Sequence, residues 1–190
     1  MINDPENIAK VTIDKDVPYV NTGDYINQII DLADIYEYDK VPYGMSGIAA
    51  IMHEIVEQYE KSKHGTPIGS AGRWDKNQGG ILQDENSDFN KDHANAVKVQ
   101  NKIDNTDRTQ GDIIDINSGR KYIMFYIDQT NNKVVGITEQ KKGNQFTPQK
   151  TEIKTDKDGY YDLGVNRFDD RGNPQFIRAR FKLKNGKPIK

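Results

Sequence analysis

Between Ser46 and Lys63 the apolar residues Ile48, Ile51, Met52, Ile55, Val56 and Tyr59 recur at spacings of three and four. That is the period of an amphipathic helix with one core-facing stripe. Ser46 can accept from the free amides of the first turn, so it is the expected N-cap. Gly65 and Pro67 stop the helix beyond Lys63. A stripe of this length must be covered by a second layer, so this segment constrains the fold more than any other. On the remaining face the helix carries His53, Glu54, Glu57 and Gln58. His53 and Glu57 are four apart and project from one face, one turn apart. Glu54 lies about 100° away. The reading is that the stripe anchors the helix and leaves the polar face for chemistry.

That chemistry is metal binding. Imidazole nitrogen and carboxylate oxygen are both zinc ligands. The order His53-Glu54-Ile55-Val56-Glu57 is an H-E-x-x-H peptidase helix with glutamate in place of the second histidine. A catalytic zinc usually has three protein ligands. His93 is the expected third, because it lies on a helix over about Asn90 to Asp104 and shares a face with Ala96, Val97 and Gln100. Glu54 would be the general base that takes a proton from metal-activated water. The competing readings are plain ones. A charged face opposite an apolar stripe is what any surface helix shows, and His93 suits a half-buried histidine bonded to a backbone carbonyl. His64 follows His53 by eleven residues, and Glu60 stands where a glycine turn would be needed. It reads instead as an exposed histidine, favourable at the negative end of the helix dipole.

The rest of the composition narrows the choices. The chain of 190 residues has no cysteine, so a transition-metal site must use His, Asp or Glu. Its net charge of −2 carries no basic excess that would point to nucleic acid. The longest apolar runs, such as Ile48 to Met52, are too short to span a bilayer. Met1 to Lys10 is polar, so no signal peptide is visible. A cytoplasmic protein, a mature form and a domain of a larger exported protein all remain compatible with that.

Composition shifts near residue 118, from helical patterns to strand patterns. The expected fold class is α+β: a helical metal-binding domain over 1–118 with short N-terminal strands, then an antiparallel β meander over 119–190. Ile8 to Ile13 and Val17 to Val20 read as strands. A helix capped by Thr22 or Asp24 is expected to run to Tyr38, with Ile26, Ile29, Ile30, Ala33 and Tyr36 as its stripe. Residues 64 to about 90 read as a long glycine-rich loop, in which Trp74 either pins the chain to the core, the favoured reading, or joins Arg73 in binding substrate; Arg73 is also a candidate oxyanion donor. Lys121 to Asp128 pairs with Lys133 to Glu139. Thr151 to Thr155 and Tyr160 to Val165 flank Asp158-Gly159 as a hairpin. Asp156 and Asp158 have the wrong spacing for a calcium loop and belong to the turn. Phe176 to Leu183 alternates, and Arg178, Arg180 and Lys182 suit an edge protected by charge. This β region is also the candidate surface for a partner protein.

The motif residues resemble a known group. His53-Glu54-Ile55-Val56-Glu57-Gln58-Tyr59, then Asp92-His93-Ala94-Asn95-Ala96 and Gln100-Asn101, are similar to bacterial zincin-like metallopeptidases with H-E-L-x-E-x-Y and A-H-x-x-A-x-x-x-E-N. That group is related in pattern to H-E-x-x-H effector and toxin peptidases. The resemblance covers about residues 22 to 104. It implies a zincin-like core, zinc held by His53, Glu57 and His93, Glu54 as catalytic base, and a protein or peptide substrate. Gln100 stands where the group has glutamate, and the stretch between the motifs is long. Gln100, together with Glu57 in place of the second histidine of H-E-x-x-H, suits the alternative of a non-catalytic binding module with a degenerate zincin fold.

Overall fold

The computed structural model describes residues 4–18, 20–40, 44–64, 73–75, 80–82, 88–109, 120–168 and 174–189. Strand β1 (Thr12–Asp14) runs parallel to β3 (Ile29–Asp31), and β2 (Gly23–Asp24) pairs antiparallel on the other side of β3. Helix α1 (Leu32–Glu37) follows, then a 3-10 turn over Tyr38–Lys40 and helix α2 (Gly47–Ser62). Strands β4 (Arg73–Asp75) and β5 (Gly80–Leu82) form a two-stranded antiparallel pair. Helix α3 (Asp88–Asp104) leads into β6 (Thr106–Thr109). Next come β7 (Arg120–Asp128), β8 (Lys133–Lys142) and β9 (Gln145–Ile153), and the four strands make an antiparallel sheet in the order β6-β7-β8-β9. Strands β10 (Tyr161–Phe168), β11 (Pro174–Lys184) and β12 (Lys187–Ile189) form a separate antiparallel sheet. The class is α+β.

The four-stranded sheet is buried on both faces because its strands alternate apolar residues to both sides. Met124, Tyr126, Val135, Ile137 and Phe146 face the helices and share a core with Ile30, Ile35, Tyr38, Met45, Ala49 and Ala50. Phe125, Ile127 and Val134 face the other way and pack with Tyr161, Leu163 and Phe181 of the second sheet. The helix-side core therefore draws side chains from both sides of residue 118.

Several expectations need correction. The helix predicted from Thr22 or Asp24 to Tyr38 is only Leu32–Glu37. Asp31 caps it, accepting from the Ala33 and Asp34 amides, and Ile29 and Ile30 are spent on β3. Ile26 and Tyr36 of the supposed stripe are exposed. The strand pattern over Ile8 to Ile13 yields only Thr12–Asp14, and the described residues of 17–20 form no strand. The Asp158-Gly159 turn exists, with Gly159 at φ +78° and Asp156 Oδ1 accepting from the Asp158 and Tyr160 amides. The strands flanking it belong to different sheets, so it is a sheet-to-sheet crossing and not a hairpin. Arg180 and Lys182 both lie over the Tyr160 ring, and Arg180 pairs with Asp156 at 2.8 Å. Trp74 and Arg73 fall on β4, but their side chains lie outside the described residues, as do most residues of the 64–90 segment and the side chain of Arg178.

The largest correction concerns α2. Its cap is Ser46, whose hydroxyl accepts from the Ala49 amide. Its buried residues are Gly47, Ala49, Ala50, His53, Glu54, Val56, Glu57, Gln58 and Lys61, whereas Ile48 is 67% exposed. At 100° per residue, the buried face and the predicted stripe lie on nearly opposite sides of the helix. Ile51 and Ile55 still touch the core from its margin. The polar face is inside because its groups find partners there: the Glu54 carboxylate takes the Thr22 hydroxyl, and the Lys61 ammonium caps the Tyr25 and Ile26 carbonyls. We expect Ile48→Ser to change unfolding stability by less than about 0.5 kcal/mol. Ala50→Leu, at a site 2% exposed, should cost about 1–3 kcal/mol through overpacking. Denaturant unfolding of the two variants checks this; the stripe reading predicts the opposite ranking.

Candidate metal centre

Helices α2 and α3 run antiparallel, as the pairs Ser46–Asp104, Glu57–His93 and His64–Asp92 require. This brings the second turn of α3 against the middle of α2. His93, on α3, points its Nδ1 at Glu57 Oε1 at 2.5 Å. His53, one turn before Glu57, places Nε2 3.1 Å from the same oxygen. The two rings meet edge to face at 4.8 Å. One potential ligand atom from each of His53, Glu57 and His93 lies within 4.8 Å of the others, so the group could hold a metal ion.

The donor set fits. Ligands at 2.0–2.2 Å on a tetrahedral zinc stand about 3.4 Å apart. Here the two contacts to Glu57, 3.1 Å from His53 and 2.5 Å from His93, are tighter, so an ion bound by all three requires the group to spread. His53 Nδ1 is buried and has no hydrogen-bond partner among the described residues. The His53 and Glu57 side chains are 9% and 5% exposed, whereas that of His93 is 29% exposed, so the group opens to solvent on the α3 side.

The electrostatics follow from crowding one carboxylate and two imidazoles in a dry place. Burial works to raise the Glu57 pKa, but the His53 charge and hydrogen bonds from His53 and His93 hold it well below the usual carboxylate range. Burial opposes protonation of His53, and Glu57 overrides it, so that pKa is raised. At His93 burial prevails and the pKa is lowered. A neutral imidazole is the form that binds metal.

Glu54 lies beside the group and not in it. Its Oε1 accepts from Thr22 Oγ1 at 2.8 Å. The backbone of Gly23 passes so close that a β-carbon there would sit 1.9 Å from Glu54 Oε2. A side chain at this position would have to displace the Glu54 carboxylate. Burial, reinforced by the Glu57 charge, pushes the Glu54 pKa up to about 7. A carboxylate so perturbed next to ligand-type residues is what acid–base work near neutrality needs.

His64 is not part of the group. It is one-third exposed and bonds through Nε2 to Asp92 Oδ1 at 2.9 Å. The motif tyrosine, Tyr59, points elsewhere and donates to Asp4 Oδ2 at 2.6 Å. Gln100 is fully buried and donates to the Tyr126 hydroxyl at 3.1 Å, so it serves the helix–sheet contact.

Sequence reasoning missed several neighbours. Phe89 stacks on the His93 ring at 5.6 Å, and Tyr25 meets Phe89 edge-on at 5.0 Å. Arg108 stands on β6 opposite Tyr126, hence on the helix side of the sheet. Its amide is held by Asn101 Oδ1 at 3.1 Å. Its charge works to lower the pKa of His53, Glu54 and His93, a small influence beside burial and Glu57. A lone arginine on a four-residue strand carries no sequence signal for this. The Asp88 and Asp92 pair, four apart at the start of a helix, was the one visible hint of a polar cluster around His93. The chain matches no protein-family model, no curated protein and no solved structure, so the zincin resemblance rests on the motif residues alone.

Proposed function

We propose that this chain is a zinc-dependent hydrolase, most simply a peptidase, of the kind used as effector or toxin modules. The observation that carries the reading is the convergence of His53, Glu57 and His93 from two helices, with Glu54 beside them. Two imidazoles and one carboxylate leave a zinc ion with an open position for water or substrate. Zinc held there would supply Lewis-acid polarisation of a carbonyl and an acidified water. The protein supplies the rest. His53 and Glu57 are fixed by one helix turn, and His93 is brought in by α3. Glu54 takes a proton on its carboxylate and can return it to the leaving amine, with Thr22 and Gly23 fixing its rotamer. Arg108 supplies positive charge on the sheet side of the site.

One observation favours the non-catalytic alternative. Glu54 is 8% exposed and already engaged with Thr22, as a purely structural carboxylate would be. Elemental analysis of the purified, untagged protein before and after chelation is the first test, read together with cleavage of a peptide library. The expected result is about one zinc per chain and cleavage that stops on chelation. Metal uptake with no cleavage favours the binding module. A different divalent metal, which this donor set also accepts, would change the chemistry, and no metal at all would remove both readings.

A further inference from the structure

Asp92 directly precedes the candidate ligand His93, and it is 1% exposed. Burying an aspartate is costly unless its oxygens are occupied. Both are. Oδ1 meets His64 Nε2 at 2.9 Å, and Oδ2 accepts from the Tyr25 hydroxyl at 2.7 Å. His64 lies just past the end of α2, and Tyr25 lies just after β2. The Tyr25 carbonyl is itself held by Lys61 Nζ at 2.7 Å, and three residues earlier Thr22 binds Glu54. One buried carboxylate thus ties together α3, the end of α2 and the segment that orients Glu54. The ring of Tyr25 extends the tie through Phe89 to the face of His93.

We propose that Asp92 is a positioning residue: through His64 and Tyr25 it fixes how α3 approaches α2 and so presents His93 to Glu57 and His53. Consecutive helix residues keep a fixed angle of about 100°, so clamping Asp92 from two sides sets the rotation and height of α3 where His93 leaves it. This rests on the metal reading above. Partners that orient a metal ligand typically contribute about 10–100-fold in metal affinity.

The test is zinc affinity, measured by competition with a chromophoric chelator, together with the absorption spectrum of the cobalt-loaded protein. Asp92→Ala is expected to weaken zinc binding by about 10–100-fold and to shift the cobalt bands. Asp92→Asn should recover most of the affinity, because the amide can accept from Tyr25 and still bond the His64 ring. Tyr25→Phe combined with His64→Ala leaves Asp92 in place and should reproduce the loss. That double variant carries the test if Asp92→Ala does not fold. A folded latch variant that binds zinc as tightly as the parent, with an unchanged cobalt spectrum, overturns the proposal even if its melting temperature falls. A parent protein that takes up no zinc overturns the metal reading and the latch with it. A parent that binds, with latch variants that bind equally well, overturns the latch alone.

Discussion

Replacing His53 by alanine is expected to abolish stoichiometric zinc binding. The loss should exceed the roughly 10–100-fold that outer partners of a metal site contribute, because a ligand itself is gone. The remaining pair, Glu57 and His93, holds ions far more weakly than three converging donors. The fold should survive at a cost. His53 is 7% exposed, and its departure leaves the Glu57 carboxylate with His93 as its remaining imidazole partner. An under-satisfied buried group costs about 1–3 kcal/mol, more when charged, which a domain of ordinary stability tolerates. Circular dichroism establishes that the variant is folded, and elemental analysis of untagged protein then gives the metal content. Equal zinc in variant and parent would remove the site.

The second large effect is on the reaction itself. Glu54→Gln keeps size and shape, and the amide oxygen can still accept from Thr22 Oγ1. Zinc should therefore stay bound. The proton acceptor is lost, and removal of a positioned general base typically costs about 10²–10⁴-fold in rate. Where no substrate is in hand, toxicity on expression is the substitute readout, with His53→Ala beside it as the metal-free control. A Glu54→Gln variant that cleaves peptide as well as the parent removes Glu54 as the base. One that harms cells as well as the parent, with no cleavage by either, sinks the peptidase reading and leaves the binding module.

The two experiments separate the layers of the site. Metal content reports on residues fixed mainly by helix geometry. Rate reports on a carboxylate whose orientation depends on a segment about thirty residues upstream. Loss of rate with metal retained is the outcome that distinguishes an enzyme from a degenerate relative.

What the sequence determined by itself was local. Ser46 as cap, α2 ending by Lys63 and a helix around His93 follow from contacts a few residues apart, and the pairing of Lys121 to Asp128 with Lys133 to Glu139 follows from alternation across a short turn. The same-face placement of His53 and Glu57 is of this kind, because four residues make about one helical turn. Tertiary structure decided everything that depended on what lay opposite. The apolar stripe of α2 suggested which side was inside, but burial went to the side where Glu54, Gln58 and Lys61 meet the 22–26 segment and where Glu57 meets His93. Periodicity measures how apolar a face is and carries no information about distant partners that make a polar face equally satisfied inside. For the same reason Ile29 and Ile30 became strand and not helix once β1 and β2 flanked them. The antiparallel docking of α3 on α2, which brings His93 to Glu57 and buries Asp92 between His64 and Tyr25, was likewise settled only in three dimensions.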